Sequence, residues 1–193
     1  MLNELFISEV RVNILKVMLP APDKPYHVRA LVRAVKTEIN AVRRELARLY
    51  GIGLLRQRPS GNRIYYSVDT SSPYYPELLA LVAKDKGVGG AIINNLKKLG
   101  DVRFAVLSKA YIRGRVSSVL DVDLFLVGNV NLPILKDLVD KEQQKLGHEI
   151  NYSVMSMDDF IFRKRKGDNF INKILSQSRA MLVGDEEEFS KIS

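Results

Sequence analysis

The chain has 193 residues, 46% hydrophobic and 27% charged, a globular balance that suits one large domain or two small ones. It contains no cysteine, which excludes disulfides and thiolate metal sites and suits a cytoplasmic location. No run approaches the roughly 18 apolar residues of a membrane span, and the opening MLNELFISEV, acidic and without a long apolar stretch, predicts no signal peptide. The net charge of +8 is unevenly placed. Residues 1–70 hold 12 Lys/Arg against 6 Asp/Glu, residues 71–100 hold 4 against 2, and residues 101–193 hold 14 against 14. A polyanionic partner is therefore expected at the N-terminal half.

Residues 2–19 predict a first helix, with Ile7, Val10, Ile14 and Met18 spaced for one buried face. Pro20, Pro22 and Pro25 end it. Residues 26–35 predict a short second helix with Leu31, Val32 and Val35 inward. A break near Lys36 follows, with Thr37 expected as the N-cap of a third helix. In that helix Ile39, Val42, Leu46 and Leu49 make one apolar face, while Asn40, Arg43, Arg44 and Arg48 occupy the others. Gly51 and Gly53 are expected to end it.

Residues 54–58 and 64–68 are β-prone runs joined by the turn Pro59-Ser60-Gly61-Asn62, and Arg56, Arg58 and Arg63 sit on this hairpin. Three helices feeding a basic hairpin give the order of a winged helix-turn-helix, expected over 1–70. Thr37, Asn40, Arg43, Arg44 and Arg48, with the three hairpin arginines, are the DNA-binding candidates, because forked donors suit phosphates and base edges. The competing reading is a solvated basic face, which amphipathic helices commonly carry.

The run from Tyr26 to Tyr66, with INAVRREL, GLL and GNRIYY, resembles the ArsR-like winged-helix transcriptional regulators. Members of that group that sense metals do so through cysteine, histidine and carboxylate clusters. With only His27 and His148 and no cysteine, metal sensing is not expected here. His27 is expected to be a surface or capping residue.

Residues 69–76 (DTSSPYYP) read as a turn-rich boundary. The stretch 71–100 is expected to be a helical linker, with helices over 77–86 and 91–99. Between them Gly87-Val88-Gly89-Gly90 reads as a hinge, since no strand precedes it and no Lys-Ser/Thr follows as a phosphate loop requires. The first helix and the apolar helices at 77–99 are the expected surface of a homodimer.

Residues 101–193 alternate strand and helix and predict an α/β domain, so the whole chain is expected in the α+β class. Strands are expected at 102–107, 122–127 and 149–156, with a last one at 181–183. Helices are expected at 132–146, 157–166 and 169–176. Asp121 and Asp123, two apart in a strand, would share a face and hold magnesium.

The run KAYIRGRVSSVLDVDLFLV resembles the nucleotidyltransferase superfamily over roughly residues 101–183. The resemblance implies a Gly-Ser after the first strand, an Arg-Gly, Asp-x-Asp and a third acid on a later strand. Here Arg113-Gly114 and Asp121-x-Asp123 are in register, Lys109-Ala110 replaces Gly-Ser, and Asn151 replaces the third acid. The domain is therefore expected to have a degenerate active site. Magnesium and a nucleotide are the cofactors the resemblance implies, with Ser108, Arg113 and Arg115 as nucleotide-binding candidates and Asp121 and Asp123 as catalytic and metal candidates. Arg163-Lys164-Arg165-Lys166 reads equally as a nucleic-acid patch or as charges at a helix C-terminus, and Asp185-Glu186-Glu187-Glu188 as a solvated acidic tail.

The order of winged helix, helical linker and nucleotidyltransferase-like domain resembles a prokaryotic group of transcriptional regulators. The expected function is sequence-specific binding of double-stranded DNA, with the C-terminal domain as sensor or interaction module. The alternative is an active magnesium-dependent nucleotidyltransferase that the winged helix targets.

Overall fold

A computed structural model describes residues 2–115, 118 and 121–191. The chain is a mixed α+β protein that divides into two units, residues 1–85 and 86–193. The stretch 71–100 is divided between them. Among the described residues no helix is long and apolar enough to cross a membrane.

In the first unit, two helices replace the single one expected over 2–19. α1 spans Leu2–Leu5 and α2 spans Glu9–Met18. Ser8 starts the second by accepting a hydrogen bond from the Arg11 backbone N–H, so the cap signal overrides the apolar spacing. Ile7 consequently lies in the break and is fully exposed, while Ile14 and Met18 are buried. A two-residue strand, β1 (Tyr26–His27), then precedes α3 (Val28–Val35), where sequence periodicity predicts helix throughout. α4 spans Ile39–Gly51, and the hairpin strands are β2 (Leu55–Ser60) and β3 (Arg63–Val68). The three strands form an antiparallel sheet in the order β1-β3-β2. β3 pairs Tyr26 with Tyr66 and His27 with Tyr65. α5 (Tyr75–Asp85) closes the unit. Leu15, Leu31, Leu46, Leu54 and Leu79 are all buried, and the Tyr75 ring is fully enclosed with its hydroxyl donating to the Leu19 carbonyl at 3.3 Å.

The second unit opens with α6 (Gly87–Asn94) and α7 (Leu96–Leu99). The glycine cluster of 87–90 thus starts a helix and makes no phosphate loop. β4 (Gly100–Ser108) leads into a short helix, α8 (Lys109–Ile112). β5 (Leu124–Val130), α9 (Leu132–Leu146), β6 (Tyr152–Met155), α10 (Met157–Arg165), α11 (Asn169–Ser176), β7 (Arg179–Val183) and α12 (Glu186–Ser190) follow. The sheet order is β6-β5-β4-β7, with β5 and β6 parallel and the other pairs antiparallel.

Leu124, Phe125, Leu126 and Val127 are all buried, so β5 is covered on both faces as a central strand must be. One face packs Phe104 and Phe125 against Phe160 of α10 and Phe189 of α12, with the Phe160 and Phe189 rings stacked at 5.2 Å. The expected acidic tail is therefore a capped helix. Asp185 accepts from the backbone N–H groups of Glu187 and Glu188, and buried Phe189 holds the helix down.

Candidate nucleic-acid interface

Lys36 ends α3 in the left-handed region at φ 52°, and this turn sets where α4 can begin. The N-cap is Glu38, which makes no side-chain cap bond, so Thr37 lies one residue too early for the capping role expected of it. Val42, Leu46 and Leu49 are buried and Ile39 half-buried. That anchoring leaves Asn40, Arg43 and Arg44 on the exposed side of α4. At its far end Gly53, at φ 73°, makes the left-handed turn, while Gly51 is still helical.

The hairpin turn is tighter than the four-residue turn expected. Ser60 pairs with Arg63, leaving only Gly61 and Asn62 to reverse the chain. Gly61 at φ 55° occupies the first turn position, where a positive angle matches the twist of the strands. Pro59 lies inside β2, tolerated because β2 is an edge strand.

The short β1 strand was not legible in the sequence, and it matters for the site. Its pairing with β3 brings the start of α3 beside the hairpin, forming a groove of about 620 Å3. Arg29 of α3, Arg43 of α4 and Arg63 with Asn62 of the hairpin line this groove, and Arg29 is an addition to the sequence candidates. His27 caps α3 by accepting the Ala30 N–H at Nδ1, 3.2 Å away, and its ring meets Tyr65 edge-on. Burial, followed by the charges of Arg63, Arg33 and Arg29, holds its pKa below the ordinary histidine value. An accepting Nδ1 needs the neutral ring, so cap and charge environment agree.

The candidate arginines divide by partner. Arg48 donates to Glu45 at 2.9 Å, and Arg56 donates to Asp69 at 2.6 Å and to Ser71 at 3.3 Å. Arg29, Arg43, Arg44, Arg58 and Arg63 have no ion pair with a carboxylate among the described residues. Of the candidate arginines, these five are left to meet an anion.

In the second unit the candidates gather where β4 ends and β5 begins. The Ser108 hydroxyl accepts from the Ala110 N–H at 3.2 Å and so caps α8. Arg113 and Gly114 turn the chain out of that helix, and Arg115 is exposed. Residues 116, 117, 119 and 120 of the motif run lie outside the described residues. β5 begins at Leu124, so Asp121 and Asp123 precede the strand and its alternation does not align them as expected. Asp123 is 2% exposed and accepts the Asn151 backbone N–H at 2.9 Å. Asp121 is half-exposed and accepts from Ser118 and, at 3.2 Å, from Lys173. Those bonds hold its pKa below the usual carboxylate value.

Asn151, in the third-acid position, donates its side-chain amide to the Ser118 carbonyl at 2.8 Å. It organises the loop and supplies no charge. No group of three His/Cys/Asp/Glu placed to hold a metal exists among the described residues. As arranged, these residues do not fit a two-cation site.

The basic run at the end of α10 is not one continuous patch. Lys164 points inward and donates to the Phe189 carbonyl at 2.7 Å, with its ammonium over the Phe160 ring. Burial, then Arg179, lowers its pKa. Searches against protein families, curated proteins and solved structures find no match to this chain.

Proposed function

We propose that the chain is a sequence-specific DNA-binding transcriptional regulator whose first unit is a winged helix-turn-helix. α4 is the recognition helix, entering the major groove through Asn40, Arg43 and Arg44, and the β2–β3 hairpin is the wing on the backbone. The observation that carries this reading is the groove between them, where Arg29, Arg43 and Arg63 converge without acidic partners among the described residues. A strip of uncompensated guanidiniums between a helix and a hairpin suits the regularly spaced charges of a duplex backbone. As in many helix-turn-helix regulators, two copies would meet two half-sites about 34–36 Å apart.

The second unit is proposed as a nucleotidyltransferase-like domain acting as sensor or interaction module. Engagement of Asp121 by Lys173 and the neutral Asn151 speak against turnover. Anisotropy titration of labelled duplex DNA tests the assignment. Arg63→Ala is expected to weaken binding equally on all sequences and to lower the salt slope by about 1. An unchanged affinity and slope would remove the wing from the interface.

A further inference from the structure

α2, the C-terminal end of α4 and α5 border a second cavity, open to solvent on one side, of about 630 Å3, within the size range of small-molecule sites. Its wall is largely apolar, from Phe6, Leu15, Leu49, Ile52, Tyr74 and Leu78. Ile52 and Tyr74 are more than half exposed, an arrangement that costs hydration free energy unless something covers them.

The polar part of the wall is specific. Arg11 and Arg48 both line the cavity, and both reach the same carboxylate, Glu45. Arg11 donates through Nε at 2.7 Å and Arg48 through Nη1 at 2.9 Å, while the Ser8 hydroxyl donates to the same group. Each guanidinium spends one of its five N–H donors in this way. One carboxylate against two guanidiniums leaves one positive charge at the Glu45 end of the cavity, and Glu77 elsewhere on the wall brings the whole lining to neutrality. Glu77, exposed on the α5 side of the same cavity, disfavours a dianion.

We infer that this cavity is a binding site for a monocarboxylate with an apolar body, the carboxylate on the free donors of Arg48 and Arg11 and the body against Leu49, Ile52 and Leu78. The fork of a guanidinium matches a carboxylate in two parallel hydrogen bonds, which a neutral head group cannot reproduce. The inference stands apart from the DNA-binding reading, and its test needs no DNA.

Octanoate and 4-phenylbutyrate are titrated into the full chain, with their primary amides as neutral controls, following tyrosine fluorescence since Tyr74 lines the cavity and the chain has no tryptophan. Saturable one-to-one binding is expected, with each acid about tenfold tighter than its amide. Arg48→Gln should cut that preference several-fold, with Arg11 still present, while retaining amide binding, and the exposed position of Arg48 leaves the fold intact, checked by circular dichroism. Leu78→Trp should weaken binding of both by intruding where the apolar body lies. Equal binding of acid and amide, no saturable binding, or an unchanged preference in Arg48→Gln would overturn the inference. So would a protein in which a second copy fills the cavity, seen as a dimer that Ile52→Asp converts to monomer and that binds no octanoate.

Discussion

Glu45 lies inside the first unit with its carboxylate bonded by Ser8, Arg11 and Arg48. Burial pushes its pKa up, but the hydrogen bonds from Arg11 and Ser8 and the charges of both arginines outweigh that and hold it below the usual value. A carboxyl lowered on folding contributes stability above its unfolded pKa, and that contribution is lost as pH falls through the folded one. Urea midpoints of the wild type should therefore drop below about pH 4.5, and those of Glu45→Gln should drop less. At neutral pH, Glu45→Ala should cost about 2 kcal/mol, because it removes the buried acceptor shared by partly buried Arg11, exposed Arg48 and Ser8. A change under a few tenths would show that the network is not formed.

Gly128 is the matching case in the second unit. At φ 140° it sits opposite an irregularity in β4, and a Cβ there would overlap the Asp101 carbonyl oxygen. Gly128→Ala should cost about 3 kcal/mol in urea unfolding, while Gly114→Ala, with open space around it but a positive φ, should cost less.

At the scale of elements, the exposed side of α4 and the hairpin make up the proposed interface, and their arginines divide by partner. Arg44 is exposed without an acidic partner among the described residues, whereas Arg48 and Arg56 are held by Glu45 and Asp69. Arg44→Ala should therefore cost about 1–3 kcal/mol of DNA binding and relax base preference, and Arg48→Ala and Arg56→Ala should cost less. Anisotropy with matched and mismatched duplexes decides this; equal losses from all three would mean that the ion pairs open on binding. Asp69, held at about 2 by Arg56 and Ser71, fixes the base of the hairpin. Its contribution should persist down to about pH 4 and fade towards about pH 2.

The elements that sequence periodicity locates are those with many consecutive turns or alternations. α9 and α11 have the expected bounds, and α4 follows from the spacing of Val42, Leu46 and Leu49. β1 escapes because two residues carry no periodicity and their partner β3 lies about forty residues on. The same gap hides Arg29, whose relevance depends on that pairing. Asp123 escapes for a different reason. The buried run 124–127 starts the strand after it, so alternation has no hold on the two aspartates. α12 was readable in principle, from an aspartate cap, an acidic first turn and then Phe189, but the run of acids masks it.

At the scale of the whole molecule, residues 1–85 carry 13 Lys/Arg against 8 Asp/Glu, and residues 86–193 carry 17 against 14. The larger excess belongs to the smaller unit, which also holds the groove lined by Arg29, Arg43 and Arg63. Expressed alone, residues 1–85 should fold and retain most of the DNA affinity, since they form a compact unit with its own set of buried residues. The full chain given magnesium and labelled nucleoside triphosphate should transfer no nucleotide, as Asn151 leaves the acidic set incomplete. Steady transfer that Asp123→Ala abolishes would instead establish the enzyme reading.

The central claim is that the first unit reads sequence and does not merely attract charge. Its most direct test is to enrich a site from random duplex DNA and compare affinity for that site with a scrambled one across a salt series. Both affinities should fall with salt because phosphate contacts release counterions. Their ratio should stay at about a thousand or more, from the base contacts proposed for Asn40, Arg43 and Arg44. Failure to enrich any site, or equal binding to both duplexes at every salt concentration, would contradict the account and leave a nonspecific polyanion-binding module.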